Sequence, residues 1–110
     1  MTIIIKNKET LLIDDFKFKC SVGKRGFSKN KKEGDLKTPI GIFELGDIYY
    51  RTDRVEKPIS KLKTNIIRKN MGWCNDPKSR YYNKLIRIKK NLKFNYEKLY
   101  RKDNKYDFFI

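Results

Sequence analysis

Residues 32–43 read KEGDLKTPIGIF, a run of turn chemistry that leads into an apolar stretch. Gly34 permits a positive φ, whereas Pro39 fixes its own φ and biases Thr38 toward extended geometry. Residues 40–45 then predict a strand that leaves the bend. Because scaffolds carry function on shaped loops, the run predicts either a functional loop or a well-made surface turn.

The segment before this loop alternates apolar and polar residues. The apolar positions within residues 16–22 are Phe16, Phe18, Cys20 and Val22. Period-two alternation predicts a half-buried strand whose lysines face water. A cysteine on an apolar face usually acts as a small hydrophobic residue. Residues 23–37 then form a long polar loop, and loops of this length are usually functional or mobile.

The rest of the chain reads as short strands and irregular segments. Apolar runs predict further strands at residues 3–5, 11–13, 40–50 (bent at Gly46), 85–88 and 106–110. The remaining segments are predicted to be irregular (51–70), turn-rich around Trp73 (72–77) and one or two helical turns (96–102). The predicted fold class is therefore mostly β, with long loops and at most short helical turns.

Composition limits the class of protein. A chain of 110 residues has room for a single domain, and its 14% of aromatic residues argue against disorder. The formal net charge of +15 comes from lysines spread along the whole chain. A dispersed excess keeps a protein soluble and attracts any polyanion only weakly, so we interpret the charge as background.

The chain shows no export leader and no segment of the roughly 20 apolar residues that a membrane helix needs. It is therefore cytoplasmic by default. Cys20 and Cys74 permit one internal disulfide only if their Cα atoms come within about 7 Å of each other. The sequence leaves this pairing open.

Several short motifs, taken together, resemble the L,D-transpeptidase catalytic domain family of the YkuD type, found in bacterial cell-wall enzymes. They occur in order along almost the whole chain: CSVGKRG (20–26), KEGD (32–35), TPIGIF (38–43), YRTDR (50–54), GWCNDP (72–77), YN (82–83) and EKLYRKD (97–103), leading into YD (106–107). The resemblance implies a β-sandwich fold and a place in the cell envelope.

The resemblance also implies a chemistry, which is acyl transfer through a cysteine. A thiolate, helped by a histidine, attacks the peptide bond after the L-centre of diaminopimelate in a peptidoglycan stem. D-Alanine leaves, and an amine of a second stem resolves the thioester as a 3→3 cross-link. This chemistry needs a thiolate, because a thiol is a poor nucleophile, and hydrogen-bond donors for the tetrahedral oxyanion.

The chain departs from the family pattern at its catalytic residues. It contains no histidine, and neither cysteine follows a glycine as the nucleophile of the family does. Cys20 and Cys74 match framework cysteines of related members. We therefore expect the 110 residues to be the N-terminal portion of an incomplete sandwich, truncated before the catalytic His and Cys and so inactive. Whether such a chain counts as an enzyme stays open.

The candidate site residues are those that would shape or flank a substrate groove. Lys24 and Arg25 are candidates for binding stem-peptide carboxylates through charge-assisted hydrogen bonds, with solvated surface charge as the alternative. Glu33, Asp35 and Thr38 are expected to hold the loop before the bend through hydrogen bonds. Trp73 is interpreted as a core or turn plug rather than a substrate platform.

No cofactor and no metal are predicted, because two cysteines without histidine do not provide a structural zinc site. The partners implied are peptidoglycan stem peptides, with no specific nucleic acid and with the oligomeric state open. The alternative hypothesis is a small basic nucleic-acid-binding β domain whose aromatic side chains stack on bases. Its binding would weaken steeply with salt.

Overall fold

The computed structural model describes residues 1–110, which form two compact units, Met1–Phe43 and Glu44–Ile110. The regular structure consists of short strands without a helix, which confirms the mostly-β prediction. No part of it is an apolar helix of membrane-spanning length. In chain order the strands are β1 (Ile3–Ile5), β2 (Thr10–Ile13), β3 (Phe16–Lys19), β4 (Phe27–Ser28), β5 (Thr38–Pro39), β6 (Ile48–Tyr50), β7 (Thr64–Ile66), β8 (Met71–Cys74), β9 (Leu85–Arg87), β10 (Tyr96–Lys98) and β11 (Phe108–Phe109).

The first unit begins with an antiparallel sheet in the order β1-β2-β3. Cross-strand partners share a face of a sheet. One face therefore holds two apolar rows, Ile3–Ile13–Phe16 and Ile5–Leu11–Phe18. The alternation in β3 is real, but Phe16 and Phe18 are 68% and 49% exposed, so the prediction of a half-buried strand is wrong. Burial requires a second layer against the sheet, and these two rings have none.

The first unit also contains a parallel pair of two-residue strands, β4 and β5, with Phe27 opposite Thr38. The Ile40 N–H donates to the Ser28 carbonyl at 2.9 Å, and the pairing ends there. The strand predicted over residues 40–45 is therefore wrong. Its apolar side chains are exposed, and the Phe43 ring folds back over Gly41, because no neighbouring strand is available to pair with this segment.

The second unit consists of two three-stranded sheets, β10-β8-β9 and β11-β6-β7. Trp73 of β8 meets Phe109 of β11 edge to face, with ring centroids 6.3 Å apart. Phe109 also stacks on Tyr49 of β6 at 4.9 Å. The buried core of this unit consists of Ile48, Tyr50, Ile67, Cys74, Ile86 and Leu99.

Pairing between distant segments overrides several local patterns in this unit. The helical turns predicted over residues 96–102 are wrong, because Tyr96–Lys98 pairs with β8 as a strand. The turn-rich segment 72–77 starts as part of β8, and the irregular segment 51–70 contains β7. The strand predicted over residues 106–110 is present as β11, at the edge of its sheet.

A buried cation ties the second unit together. Arg51 is 3% exposed and donates to both carboxylate oxygens of Asp53, at 2.8 and 2.7 Å. It also donates to the Arg101 carbonyl at 2.8 Å, and its guanidinium lies 3.5 Å from the centroid of the Tyr100 ring. These hydrogen bonds from Arg51 lower the pKa of Asp53. A buried charge needs this complete set of partners.

Candidate functional site

The site is built on a tight turn over residues 23–26. The Gly26 N–H donates to the Gly23 carbonyl at 2.8 Å, which places Lys24 and Arg25 at the two central positions of the turn. Both side chains are exposed. Gly26 is buried with a φ of 85°, a conformation that favours glycine.

Hydrogen bonds with residues 36–38 fix both ends of this turn. The Gly23 N–H donates to the Thr38 Oγ1 at 2.7 Å, and the Thr38 N–H donates to the Gly26 carbonyl at 2.8 Å. The Arg25 N–H donates to the Leu36 carbonyl at 2.8 Å. Gly23 approaches so closely that a Cβ there would lie 2.5 Å from the Leu36 oxygen. The two cations are thus presented on a braced backbone.

Asp35 organises the polar loop that precedes Thr38. Its carboxylate accepts from the backbone N–H groups of Lys32 and Lys37, each at 2.9 Å, and from the Lys31 ammonium at 2.5 Å. The hydrogen bond from Lys31, followed by the one from the Lys32 backbone, lowers the pKa of Asp35 well below its ordinary value. Asp35 therefore stays ionised and acts as an acceptor, not as an acid.

Of the other two candidate residues, Glu33 lies in this same polar loop and Trp73 lies in the second unit. The Asp35 N–H donates to the Lys32 carbonyl at 3.3 Å and closes a turn over residues 32–35. Glu33 is exposed at the second position of this turn. Trp73 belongs to the second unit, where it is half-buried on β8. The structure therefore brings Lys24, Arg25, Asp35 and Thr38 into one braced loop structure in the first unit. Membership of all these residues in a substrate groove stays a prediction.

Trp73 lines a cleft of about 390 Å³ in the second unit, with aromatic walls formed also by Tyr49, Tyr106 and Phe109. The Tyr106 hydroxyl donates to Glu97. Burial first, and then this hydrogen bond, raises the pKa of Tyr106 to about 12. The same hydrogen bond is the main cause of a lowered pKa of Glu97. Tyr106 is thus a neutral donor and Glu97 an anion at neutral pH.

The two cysteines are both free thiols. Cys74 on β8 is 0% exposed and belongs to the core. Cys20, just after β3, is half-buried, with its Sγ 3.9 Å from the Asn7 carbonyl oxygen. No group of three or more His, Cys, Asp or Glu side chains could hold a metal ion.

One neighbour of the turn is not predicted from the sequence. The Lys8 side chain, from the β1–β2 hairpin, lies over Gly26, with its Cε and Nζ 3.7 and 3.9 Å from the position of a Cβ there. No sequence pattern links Lys8 with Gly26, because the proximity depends on how the hairpin lies in the first unit.

Comparisons with known proteins give one match. No curated protein and no solved structure matches this chain. The family description "L,D-transpeptidase catalytic domain" (YkuD) matches residues 1–110, which is the whole sequence and covers both compact units. The chain therefore belongs to the YkuD family of L,D-transpeptidase catalytic domains.

Proposed function

We propose that this chain serves peptidoglycan cross-linking as the peptide-recognising part of an L,D-transpeptidase domain. The single observation that carries the proposal is the family match over residues 1–110. Because one match spans both compact units, we infer that the 110 residues belong to a single domain of the cell-wall enzyme family.

The braced turn over residues 23–26 supplies the recognition in this proposal. Lys24 and Arg25 are exposed on a backbone held by Thr38 and Leu36. Stem peptides of peptidoglycan carry carboxylates, which guanidinium and ammonium groups bind through charge-assisted hydrogen bonds. A rigid turn reduces the ordering that binding would otherwise require. Asp35 and Thr38 are then loop-shaping residues rather than catalytic ones, with Glu33 beside them.

We further propose that the 110-residue chain is inactive in acyl transfer. Cys74 is 0% exposed, so a peptide carbonyl cannot reach its sulfur without unfolding of the core. Cys20 is half-buried, and no imidazole exists in the sequence to take up its proton. A cysteine nucleophile depends on thiolate formation beside a base or a cation. The sequence therefore supplies no imidazole to act as that base.

Intact-protein mass spectrometry tests the inactivity. The purified chain is incubated with the stem tetrapeptide L-Ala-γ-D-Glu-diaminopimelate-D-Ala, and its mass is compared with that of the Cys20→Ser and Cys74→Ser variants. We expect no added acyl-tripeptide mass. Labelling with iodoacetamide serves as a positive control, since Cys20 should react in the folded chain and Cys74 only in denaturant. An adduct that disappears in either Ser variant would contradict the proposal.

A titration separates this function from nucleic-acid binding. Single-stranded DNA and the stem tetrapeptide are titrated into the chain in 50 and 200 mM salt. Binding to phosphates through many cations loses orders of magnitude in affinity over this range. We expect the DNA affinity to be weak and unspecific. Tight, salt-sensitive DNA binding without peptide binding would favour the alternative function.

A further inference from the structure

Lys8 occupies a fixed position at the tip of the β1–β2 hairpin. The Lys6 N–H donates to the Thr10 carbonyl at 2.9 Å, and the Glu9 N–H donates to the Asn7 Oδ1 at 3.0 Å. On the other side of Lys8, the Glu9 carbonyl accepts from the Cys20 N–H at 3.0 Å. The backbone around Lys8 is therefore held from both sides.

The Lys8 side chain reaches across to the residue 23–26 turn. Its Nζ lies 3.9 Å from the place where a side chain at Gly26 would begin. Gly26 directly follows Arg25 and closes the turn that displays Lys24. The hairpin lysine thus lies beside the turn that carries Lys24 and Arg25 at its two central positions.

Lys8, Lys24 and Arg25 take no part in the ion pairs of Asp35, Asp47, Asp53, Glu97, Asp103 and Asp107. Asp35, for example, pairs with the Lys31 ammonium at 2.5 Å. Glu9 is the acidic residue nearest to Lys8 along the chain, yet its carboxylate does not pair with it. Like charges at close range repel each other unless an anion compensates them.

We propose that Lys8, Lys24 and Arg25 form one binding site for the carboxylates of an extended peptide, centred on Gly26. The inference rests on the proposed function and extends it, because it adds a residue from the hairpin to the recognition turn. A planar guanidinium binds one carboxylate with two hydrogen bonds, whereas an ammonium acts as a point charge. One arginine and two lysines therefore suit a peptide with several carboxylates, such as the stem tetrapeptide with its three.

Peptide binding to charge variants of the intact chain tests the site. The Kd of the stem tetrapeptide is measured by calorimetry in 20 mM salt for the wild type, Lys8→Gln and Lys8→Arg. Lys17→Gln is the matched control, since it removes the same charge from an exposed position on β3. A second peptide with its carboxylates converted to amides serves as the control ligand.

We expect Lys8→Gln to weaken binding by about two- to fivefold, the range of a solvent-exposed ion pair. Lys8→Arg and Lys17→Gln should stay near the wild-type Kd, and the amidated peptide should bind poorly. Equal Kd values for Lys8→Gln and Lys17→Gln would overturn the three-cation site but leave the proposed function standing. If only a Lys24→Gln, Arg25→Gln double variant lost binding, Lys8 would not belong to the site, and the proposed function would again still stand.

Two further outcomes concern the ligand class. Wild-type binding of the amidated peptide as tightly as of the free acid would overturn carboxylate recognition at this site. Absence of tetrapeptide binding to the wild type would overturn both the site and the peptide-recognising function. Circular dichroism of each variant ensures that a changed Kd reflects the lost charge rather than a lost fold.

Discussion

Leu36 shows how a single backbone conformation supports the turn over residues 23–26. Its φ is 58°, in the left-handed region, and its side chain is 56% exposed. An L-residue with a Cβ adopts this region at a cost of about 1 kcal/mol. The conformation turns the Leu36 carbonyl toward the Arg25 N–H, which it accepts at 2.8 Å. Strain at this residue thus accompanies the bracing of the turn.

We expect Leu36→Asn to raise the free energy of unfolding by up to about 1 kcal/mol, because asparagine tolerates the left-handed region. Urea denaturation measures the effect. Leu36→Ala is the matched control, since alanine removes the side chain but keeps the strain. An equal gain from the alanine variant would show that the exposed leucine, not its φ, limits stability.

A second prediction concerns the hydrogen bond between the side chains of Tyr106 and Glu97. Tyr106→Phe removes the hydroxyl that donates to the Glu97 carboxylate. The substitution should lower the free energy of unfolding by about 1 kcal/mol near neutral pH. The pKa of Glu97 is lowered in the folded chain, so this contribution is present above the unfolded pKa of roughly 4.3. It disappears as the pH falls through the lower, folded value.

Urea denaturation at pH 7 and at acidic pH checks this expectation. The difference between wild type and Tyr106→Phe should shrink as the solution is acidified below the unfolded pKa. Tyr81→Phe is the control, since the exposed Tyr81 hydroxyl accepts from Arg80 and contacts no carboxylate. A difference that stays constant with pH would contradict the assignment.

Among the elements, one side-chain oxygen joins strand β5 to the turn that precedes β4. Thr38 Oγ1 accepts from the Gly23 N–H at 2.7 Å, where the chain enters the turn. Thr38→Val keeps the shape but removes the acceptor, which should destabilise the first unit by about 1 kcal/mol. Thr38→Ser keeps the oxygen and should lose less. Amide hydrogen exchange at Gly23 measures the effect, and unchanged protection in the valine variant would contradict it.

The sequence predicts those elements whose pattern is local. Strands at Ile3–Ile5, Thr10–Ile13 and Leu85–Arg87 follow from short apolar runs, which the structure contains. The strand expected at residues 40–45 fails because an apolar run forms a strand only beside a partner. The helical turns expected at residues 96–102 fail for the opposite reason, because Tyr96–Lys98 finds a partner strand in β8 and this pairing overrides the helical pattern.

Sequence reasoning likewise finds some residues of the candidate site and misses others. Asp35 and Thr38 stand out in the sequence because their side chains act within their own turn or beside a proline. The hydrogen bonds that Asp35 accepts from Lys32 and Lys37 follow from this local chemistry, whereas the bond between Thr38 and Gly23 joins residues 15 positions apart and does not. Lys8 does not stand out, because its position over Gly26 results from tertiary placement of a hairpin. One lysine among many carries no signal of its own.

At the scale of the whole molecule, net charge is the dominant long-range term. A formal charge of +15 on 110 residues repels itself in the compact state. We expect the Tm to rise by about 4 °C or more between 10 mM and 150 mM sodium chloride, as the Debye length falls from about 30 Å to about 8 Å. Differential scanning fluorimetry measures the shift.

A charge-reduced variant provides the control for this effect. Lys57→Glu with Lys61→Glu lowers the net charge by four units at two exposed positions that form no ion pair. The variant should respond less to salt than the wild type. An equal response of both proteins would show that the salt acts on something other than overall repulsion.

The central proposal is that this chain of the L,D-transpeptidase family recognises stem peptides through its braced, cationic turn. Backbone NMR of the ¹⁵N-labelled chain, titrated with the stem tetrapeptide, tests it most directly. We expect saturable shifts at the amides of residues 23–26, with further shifts near Lys8 and Thr38. Shifts confined to residues 44–110, or no saturable shifts at all, would contradict the account.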